Sequence, residues 1–438
     1  MTRTLPRHLG LPAATAIYAG IILGSGIFVA PALVSATGAG PGRATLLWLF
    51  GALVAVCGAS CYAECAARLP ESGGFFVFHR EAYGPGIAFV GGWAALFVTY
   101  PASIAAMALI FASYLSEVTG TAFDERAIAA GAVLLAAAVN AAGLRTGPRA
   151  QIVLTTAKIG ALLILAAAAL SVSGRPASPA PAAAPPAGAW LSALVLMLWA
   201  YEGWSDVTLV AGEVRDPGRN LGRAVLFGTA VLFVTYALVQ LAVDRALPGA
   251  AASTRPVADA AAAAFGRGGS RLVAALVVVS TFGAIQGVIL TVSRLGLAMA
   301  REGAFVPWFG ALHPTLGTPV RATAAMTAAS LVYLASSSFR DIVTYFTFAV
   351  WIFYGLTAVA VVLLRRRGVG DPPGWRAPFG IVPSIVVLAT GVFVSGQLVL
   401  QRPKDALVGT LVLAASLPVY ALVKRRAISA TEGAARSR

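Results

Sequence analysis

The chain has 438 residues, 58% hydrophobic and 11% charged, with a mean hydropathy of +0.82. Soluble domains run near 45–50% apolar and about 25% charged, so the composition excludes a soluble enzyme, a soluble nucleic-acid binder and a disordered chain. The net charge of +15 sits in short stretches between long apolar runs, which reads as membrane topology rather than affinity for nucleic acid.

A helix needs about 20 apolar residues to cross a bilayer. Twelve runs qualify: 11–37, 43–67, 86–115, 127–144, 150–173, 190–212, 221–244, 271–299, 321–337, 340–364, 379–400 and 405–423. The expected fold class is therefore an all-α polytopic membrane protein with both termini on one side. With the N-terminus inside, 20 of the 32 Lys and Arg fall on the inner side and 10 on the outer. Lys158 and Arg294 remain inside spans. The positive-inside bias puts both termini in the cytoplasm. The basic start, MTRTLPRHLG, runs straight into the first span, so no cleavable leader is expected.

The first run is interrupted. Gly24-Ser25-Gly26-Ile27-Phe28 lies near its middle, and Pro31 follows. Each glycine costs a helix interior about 1 kcal/mol. The simpler reading of Gly24 and Gly26 is close helix packing. The other is unwound backbone, which a membrane tolerates only against protein or a water-filled cavity.

The second run carries all three cysteines, Cys57, Cys61 and Cys65, along one helix face. No histidine stands near enough to complete a metal site, so they read as buried thiols and no metal or cofactor is expected. Glu64 and Arg68 have the i, i+4 spacing of a salt bridge. His79 falls in the loop before the third run, and Tyr100 within that run.

The fifth run contains Lys158, about ten residues from the nearest loop. It either snorkels or serves a buried site. The Pro/Ala-rich segment 174–189 reads as an extended outer linker. The sixth run contains Tyr201-Glu202-Gly203-Trp204-Ser205-Asp206, a glycine between carboxylates at membrane depth. A charge there costs at least about 2.5–3.5 kcal/mol, so Glu202 reads as a site residue. Asp206 lines the site or caps the restarting helix. In the loop 246–270 a short helix is expected over the outer mouth. Later runs carry Phe282, Gln286 and Tyr354.

The two interruptions lie about 178 residues apart, each opening one half of the chain. Broken helices at matching positions point to an inverted-repeat transporter. A break presents free N–H groups to an anion and free carbonyls to a cation, and an amino acid zwitterion carries one of each.

Several segments carry a family resemblance: GIILGSGIFVAPALV (20–34), CYAECAARLPESGGFFVFHREAYG (61–84), YPASIAAMALIFASYL (100–115), WAYEGWSDVTLVAGEVRDPGRNLGRA (199–224) and TVSRLGLAMAREGAFVPWFGALHP (291–314). With them the chain resembles the amino acid–polyamine–organocation superfamily, and within it the L-type amino acid transporters and their bacterial relatives. The resemblance implies a LeuT-type fold. Helices 1–5 (1–173) and 6–10 (190–366) would be inverted repeats in a single transport domain. Helices 1 and 6 would be unwound at mid-membrane, and the last two helices (379–424) peripheral.

It also implies roles. The N–H groups of Ser25, Gly26 and Ile27 and the Ser25 hydroxyl would hold the substrate carboxylate. Carbonyls of Ile21, Ile22, Trp199 and Ala200 would take the ammonium. Tyr201, Glu202 and Gly203 complete the binding segment. Trp204 and Tyr236 would gate the site, and Lys158 would stand where sodium-coupled relatives bind sodium. Gln286 stands where L-type relatives carry asparagine. The loop Ser116–Arg126 lacks the cysteine that links light chains to a glycoprotein, so no heavy-chain partner is expected.

The function expected is secondary active transport of α-amino acids across a bacterial inner membrane, as a sodium-independent exchanger or a proton symporter. The partners expected are the amino acid, protons and the lipid bilayer. Because of Glu202, a carrier of cationic amino acids or polyamines is the alternative. A channel would need a repeated filter that the sequence lacks, and no nucleophile–base pair marks an enzyme.

Overall fold

A computed structural model describes residues 10–69, 73–122, 124–143, 148–171, 189–206, 208, 214–247 and 250–424. Regular structure among them is helical throughout, with no β-strand. The first run is divided into α1 (Leu11–Ile22), a 3-10 turn (Gly26–Phe28) and α2 (Ala30–Ser35). Then follow α3 (Pro41–Arg68), α4 (Phe75–Tyr83), α5 (Pro85–Thr119), α6 (Glu125–Ala141) and α7 (Pro148–Ser171). The second half holds α8 (Ala189–Ala200), α9 (Pro217–Ala246), α10 (Pro256–Arg301), α11 (Val320–Ser336), α12 (Phe339–Arg366), α13 (Val382–Gln401) and α14 (Pro403–Lys424).

Eight of these, α3, α5, α7, α9, α10, α12, α13 and α14, are long and apolar enough to cross a membrane. The chain is thus a polytopic membrane protein. Of the other expected spans, α6 and α11 have 17 residues each. The first and sixth are the interrupted pair, whose leading arms α1 and α8 have 12 residues each. The linker 174–188 and most of 207–213, where the sixth span was expected to resume, lie outside the described residues.

Two features differ from or refine the sequence reading. His79 is not in a loop but on α4, which at nine residues is too short to register as a span. Its ring is fully buried, burial pulls its pKa down to about 3, and Nε2 lies 2.8 Å from the Thr357 hydroxyl. The short helix expected within 246–270 is the first part of α10, separated from the long part by Gly266 at φ +70°.

Helix starts follow local chemistry. The Asp124 side chain accepts from the N–H groups of Arg126 and Ala127, capping α6. Ser338 and Asp341 form a reciprocal capping box on α12. Large apolar side chains such as Leu46, Ile164, Phe227, Leu272, Val392 and Leu422 are exposed around the bundle. A soluble surface would not present that much apolar area; lipid solvates it. The interior is aromatic instead, with Tyr18, Trp48, Tyr62, Tyr114, Tyr201 and Tyr236 fully buried.

The broken segments meet at the centre. α1 packs against α7 and α9, and α2 and the 3-10 turn against α8. A Cβ on Gly26 would stand 2.3 Å from the Ala200 Cα, so the two backbones touch there. Gly24 has nothing nearer than 3.5 Å. Gly203 adopts φ +106°, and its own Cβ would meet Ile21 at 2.8 Å. The glycines therefore satisfy both sequence readings: close packing at Gly26, unwinding around it.

One end of the bundle is tied by ions. Glu64, with a side chain wholly buried, binds Arg68 Nε at 3.0 Å and Arg365 Nη2 at 2.5 Å. It also accepts from the Ala377 N–H at 2.7 Å. Arg68 continues to Asp371 at 2.8 Å. The i, i+4 pair expected from sequence is thus the core of a larger network joining α3, α12 and the segment after α12.

Two outcomes follow. Glu64→Gln leaves two arginines short of their counter-charge and is expected to cost about 3 kcal/mol or more; Arg376→Ala, at an exposed pair, should change nothing measurable. Thermal unfolding of the detergent-solubilised variants reads both. Gly26→Ala should lower the same midpoint by an amount matching about 1–3 kcal/mol of overpacking, while Gly24→Ala is tolerated.

Candidate functional site

The first break leaves a specific set of groups unpaired. Gly24 N–H bonds Ile22 O, and the next bonded amides are Phe28 and Val29, which return to Ser25 O and Gly26 O. The N–H groups of Ser25, Gly26 and Ile27 make no hydrogen bond among the described residues. The Ser25 hydroxyl also has no partner there, although the residue is 4% exposed. Three consecutive free donors and a hydroxyl at the start of a helical turn suit an anion.

The carbonyls around them are treated differently. Leu23 O accepts from Lys158 Nζ at 3.5 Å and from Ser280 Oγ at 3.4 Å, and Ser280 also reaches Gly24 O at 3.3 Å. Lys158 is 8% exposed, so it does not snorkel to an interface; it serves the first break. The fully buried Tyr236 donates to Ala200 O at 3.1 Å and lies 3.4 Å from Ile22 O, spanning both breaks. Trp199 O accepts from Glu202 N–H at 3.0 Å. Each carbonyl has a second lone pair for a further donor. Ile21 O accepts no hydrogen bond among the described residues.

Around the second break the side chains form an aromatic wall. Tyr201 lies 5.0 Å from Tyr236 and 5.9 Å from Trp48 between ring centroids. Trp204 is 2% exposed and packs 4.2 Å from Tyr354 and 5.6 Å from Tyr62. Only glycine fits at position 58, where a Cβ would fall 1.7 Å from the Trp204 ring. Glu202 accepts from the Tyr354 hydroxyl at 2.5 Å, and Asp206 from the Tyr100 hydroxyl at 2.7 Å. No described N–H is capped by Asp206.

Two cavities flank the breaks. A large one, about 670 Å³, is lined by α2, the later part of α5, α8 and the start of α12, reaching Val29 and Leu196. A small one, about 30 Å³, lies beyond the second break and is lined by Tyr62, Thr99, Tyr100, Glu202, Ser205 and Tyr354. Tyr100 and Tyr354 both line the small cavity. Phe282 instead packs on Phe111 at 6.1 Å and lines neither cavity. Gln286 contributes its backbone carbonyl to Asn140.

The structure brings together Ile21, Ile22, Ser25, Gly26, Ile27, Lys158, Trp199 to Trp204 and Tyr236, which come from α1, α7, α8, α9 and the two breaks. Sequence reasoning missed Ser280, Tyr62 and Thr99. A hydroxyl in a long apolar helix gives no periodic signal, and Thr99 depends on a π-turn (Ala95–Thr99) that composition does not announce. The cysteines are free thiols on α3, Cys61 and Cys65 being buried.

Comparison with known proteins identifies the family. The amino acid permease family model matches residues 9–420. The chain is 31% identical to the human b(0,+)-type amino acid transporter 1, over 83% of this chain and 77% of that one. It is 27% identical to the serine/threonine exchanger SteT of Bacillus subtilis (strain 168), over 97% and 98%. To the human large neutral amino acids transporter small subunit 2 it is 29% identical, over 95% and 80%. The interrupted helices, their unpaired amides and these matches along nearly the whole length place the chain in the amino acid permease family of membrane transporters, not among enzymes.

Proposed function

We propose that the protein carries α-amino acids across the bacterial inner membrane by alternating access, without sodium, by exchange or with protons. The observation that carries this reading is the row of unpaired N–H groups at Ser25, Gly26 and Ile27, set beside the carbonyl ends of α1 and α8. The substrate carboxylate docks on those amides and the Ser25 hydroxyl. Its ammonium meets Ile21 O, Ile22 O, Trp199 O and Ala200 O, displacing the Tyr236 hydroxyl from the last of them. The side chain extends toward Tyr201, Glu202 and Gly203, and Trp204 closes the way inward.

In this reading the chain crosses the membrane twelve times in a LeuT-type arrangement. Residues 1–173 and 190–366 are the inverted repeats, helices 11 and 12 (379–424) are peripheral, and both termini are cytoplasmic. The 670 Å³ cavity is then the outer vestibule, and the Glu64 network ties the inner end. Lys158, donating to Leu23 O, fills the place of a sodium ion. With no cysteine in Ser116–Arg126, the carrier works without a heavy chain. The relatives' names span serine and threonine, large neutral and b(0,+)-type substrates, and the aromatic and aliphatic lining favours neutral ones. A cationic substrate is the second reading, favoured by Glu202, which makes no ion pair among the described residues.

Uptake of radiolabelled serine, leucine and arginine into proteoliposomes, with and without internal cold amino acid, tests the proposal. Saturable uptake unchanged when choline replaces sodium is expected; no uptake of any of the three by folded protein overturns it. Ser25→Ala removes a hydrogen bond to a charged group, worth about 1.5–3 kcal/mol, and should weaken apparent affinity about tenfold or more. Glu202→Gln selectively abolishing arginine uptake would favour the second reading.

A further inference from the structure

α2 has six residues. A helix that short is not stable by itself. The break also removes the backbone ladder to α1, so the direction of α2 is set by what holds it from outside. Its two faces differ. Val29, Ala32, Leu33 and Ala36 line the 670 Å³ cavity, while the Pro31 carbonyl and the Ser35 hydroxyl meet α9. The amides of Ser25, Gly26 and Ile27 sit at the head of this arm, so its direction is also theirs.

At the near end of the arm, Tyr114 donates to Phe28 O at 2.9 Å. At the far end a denser group closes on it. Ser35 Oγ donates to Asp244 Oδ1 at 2.6 Å, and Gln240 Nε2 donates to the same oxygen at 3.0 Å. Gln240 Nε2 also lies 3.3 Å from Ser35 Oγ and 3.5 Å from Pro31 O. Its Oε1 accepts from Trp48 Nε1 at 3.1 Å. Gln240 and Trp48 are buried, and Asp244 is half-buried near the end of α9.

The hydrogen bonds of this group all run one way. An indole N–H only donates, so the Gln240 oxygen must face Trp48 and its NH2 must face α2 and residue 244. Both Ser35 and Gln240 then donate toward residue 244, and the row ends properly only on an acceptor there. Asp244 Oδ2 takes no hydrogen bond among the described residues, and Asp244 makes no ion pair among them. Nothing in the transport reading uses this side chain. The other side of the group reaches the second break. Trp48 stands 5.3 Å from Tyr236 and 5.9 Å from Tyr201 between ring centroids, and Tyr236 donates to Ala200 O. The far end of α2 is thus fastened to α9, the helix that also supplies a donor to the carbonyls of the second break.

We propose that Asp244 is a positioning residue for substrate binding: through Ser35 and Gln240 it fixes α2 on α9 and so holds the amides of Ser25, Gly26 and Ile27 opposite the carbonyls of the second break. The inference deepens the transport reading and rests on it. Asp244 does not touch the substrate. Without this clamp the short arm takes many directions, and ordering it becomes part of the cost of binding. The effect falls on affinity and leaves the movement of bound substrate alone.

Two measurements test it. The first is proteoliposome uptake over a range of serine concentrations, each variant normalised to folded protein by size-exclusion chromatography. Asp244→Ala should raise the apparent KM about fivefold to tenfold, the size of one or two lost hydrogen bonds, with Vmax within about twofold of wild type. Asp244→Asn keeps an acceptor oxygen and should restore the wild-type KM. Ser35→Ala should raise KM as well, and adding it to Asp244→Ala should raise KM little further, because the two act as one unit. An unchanged KM in Asp244→Ala overturns the proposal. So does a fall in Vmax without a rise in KM, and so does an Asn variant as impaired as the Ala variant. The second measurement needs no transport. Spin labels at Ala39→Cys, just past α2, and at Phe227→Cys, exposed on α9, report one distance by pulsed electron paramagnetic resonance in lipid nanodiscs, with Cys57→Ser as background. The distance distribution should be narrow with Asp244 or Asp244→Asn and broad with Asp244→Ala. A distribution equally narrow in Asp244→Ala overturns the clamp. If the wild type moves no amino acid, the transport reading has failed, and the distance distribution still decides whether Asp244 holds α2.

Discussion

The structure depends on one constraint: a backbone polar group inside a membrane must find a partner. Ordinary helices meet it internally. The two breaks do not, and their repair is uneven. The carbonyls released at the first break are served by Lys158 and Ser280, and Tyr236 serves Ala200 across the gap. The amides of Ser25, Gly26 and Ile27 are served by nothing among the described residues. An unmade hydrogen bond in an apolar setting costs about 1–3 kcal/mol per group. The site is therefore incomplete on its donor side and nearly complete on its acceptor side. In the proposed binding mode, such an imbalance favours entry of the anionic end of the substrate first, with the ammonium competing for carbonyls already in use.

Steric closeness makes that arrangement possible. Gly26 against Ala200 and Gly203 against Ile21 bring the two unwound segments into backbone contact. Side chains at either position would separate the amides from the opposing carbonyls. The same economy operates at Gly58, where the missing side chain makes a slot for Trp204. Trp204 in turn fixes Tyr354, and Tyr354 holds Glu202. The ligand-facing backbone and the acid behind it are thus parts of one packed unit.

Much of this was legible in the sequence because glycine and charge are rare inside apolar runs. Gly24, Gly26, Gly203, Glu202 and Lys158 each violate the pattern of a plain span, and all but Gly24 have an identifiable task in the structure. The long spans were legible from length alone. What stayed hidden were features made by contact between distant elements. Arg365 stands 301 residues from Glu64, and nothing local links them. Ser280 and Thr99 are unremarkable in their own helices and matter only through what faces them. α4 was hidden because nine residues give too short a periodic signal.

The strength of the contacts also sets which parts can move. α3, α12 and the following segment are joined by buried ion pairs through Glu64, whose loss leaves uncompensated charge. α1 is held by neutral hydrogen bonds, Tyr18 to Thr229 at 2.7 Å and Thr155 to Ala16 O at 3.1 Å, and by the longer Lys158 contact. A neutral bond contributes about 0.5–1.5 kcal/mol net, so each can be exchanged for another at little cost. The break at Gly24–Ser25 removes the backbone ladder that would otherwise force α1 and α2 to tilt together. A rearrangement that swings α1 leaves the ion-tied scaffold in place and passes directly through the unpaired amides.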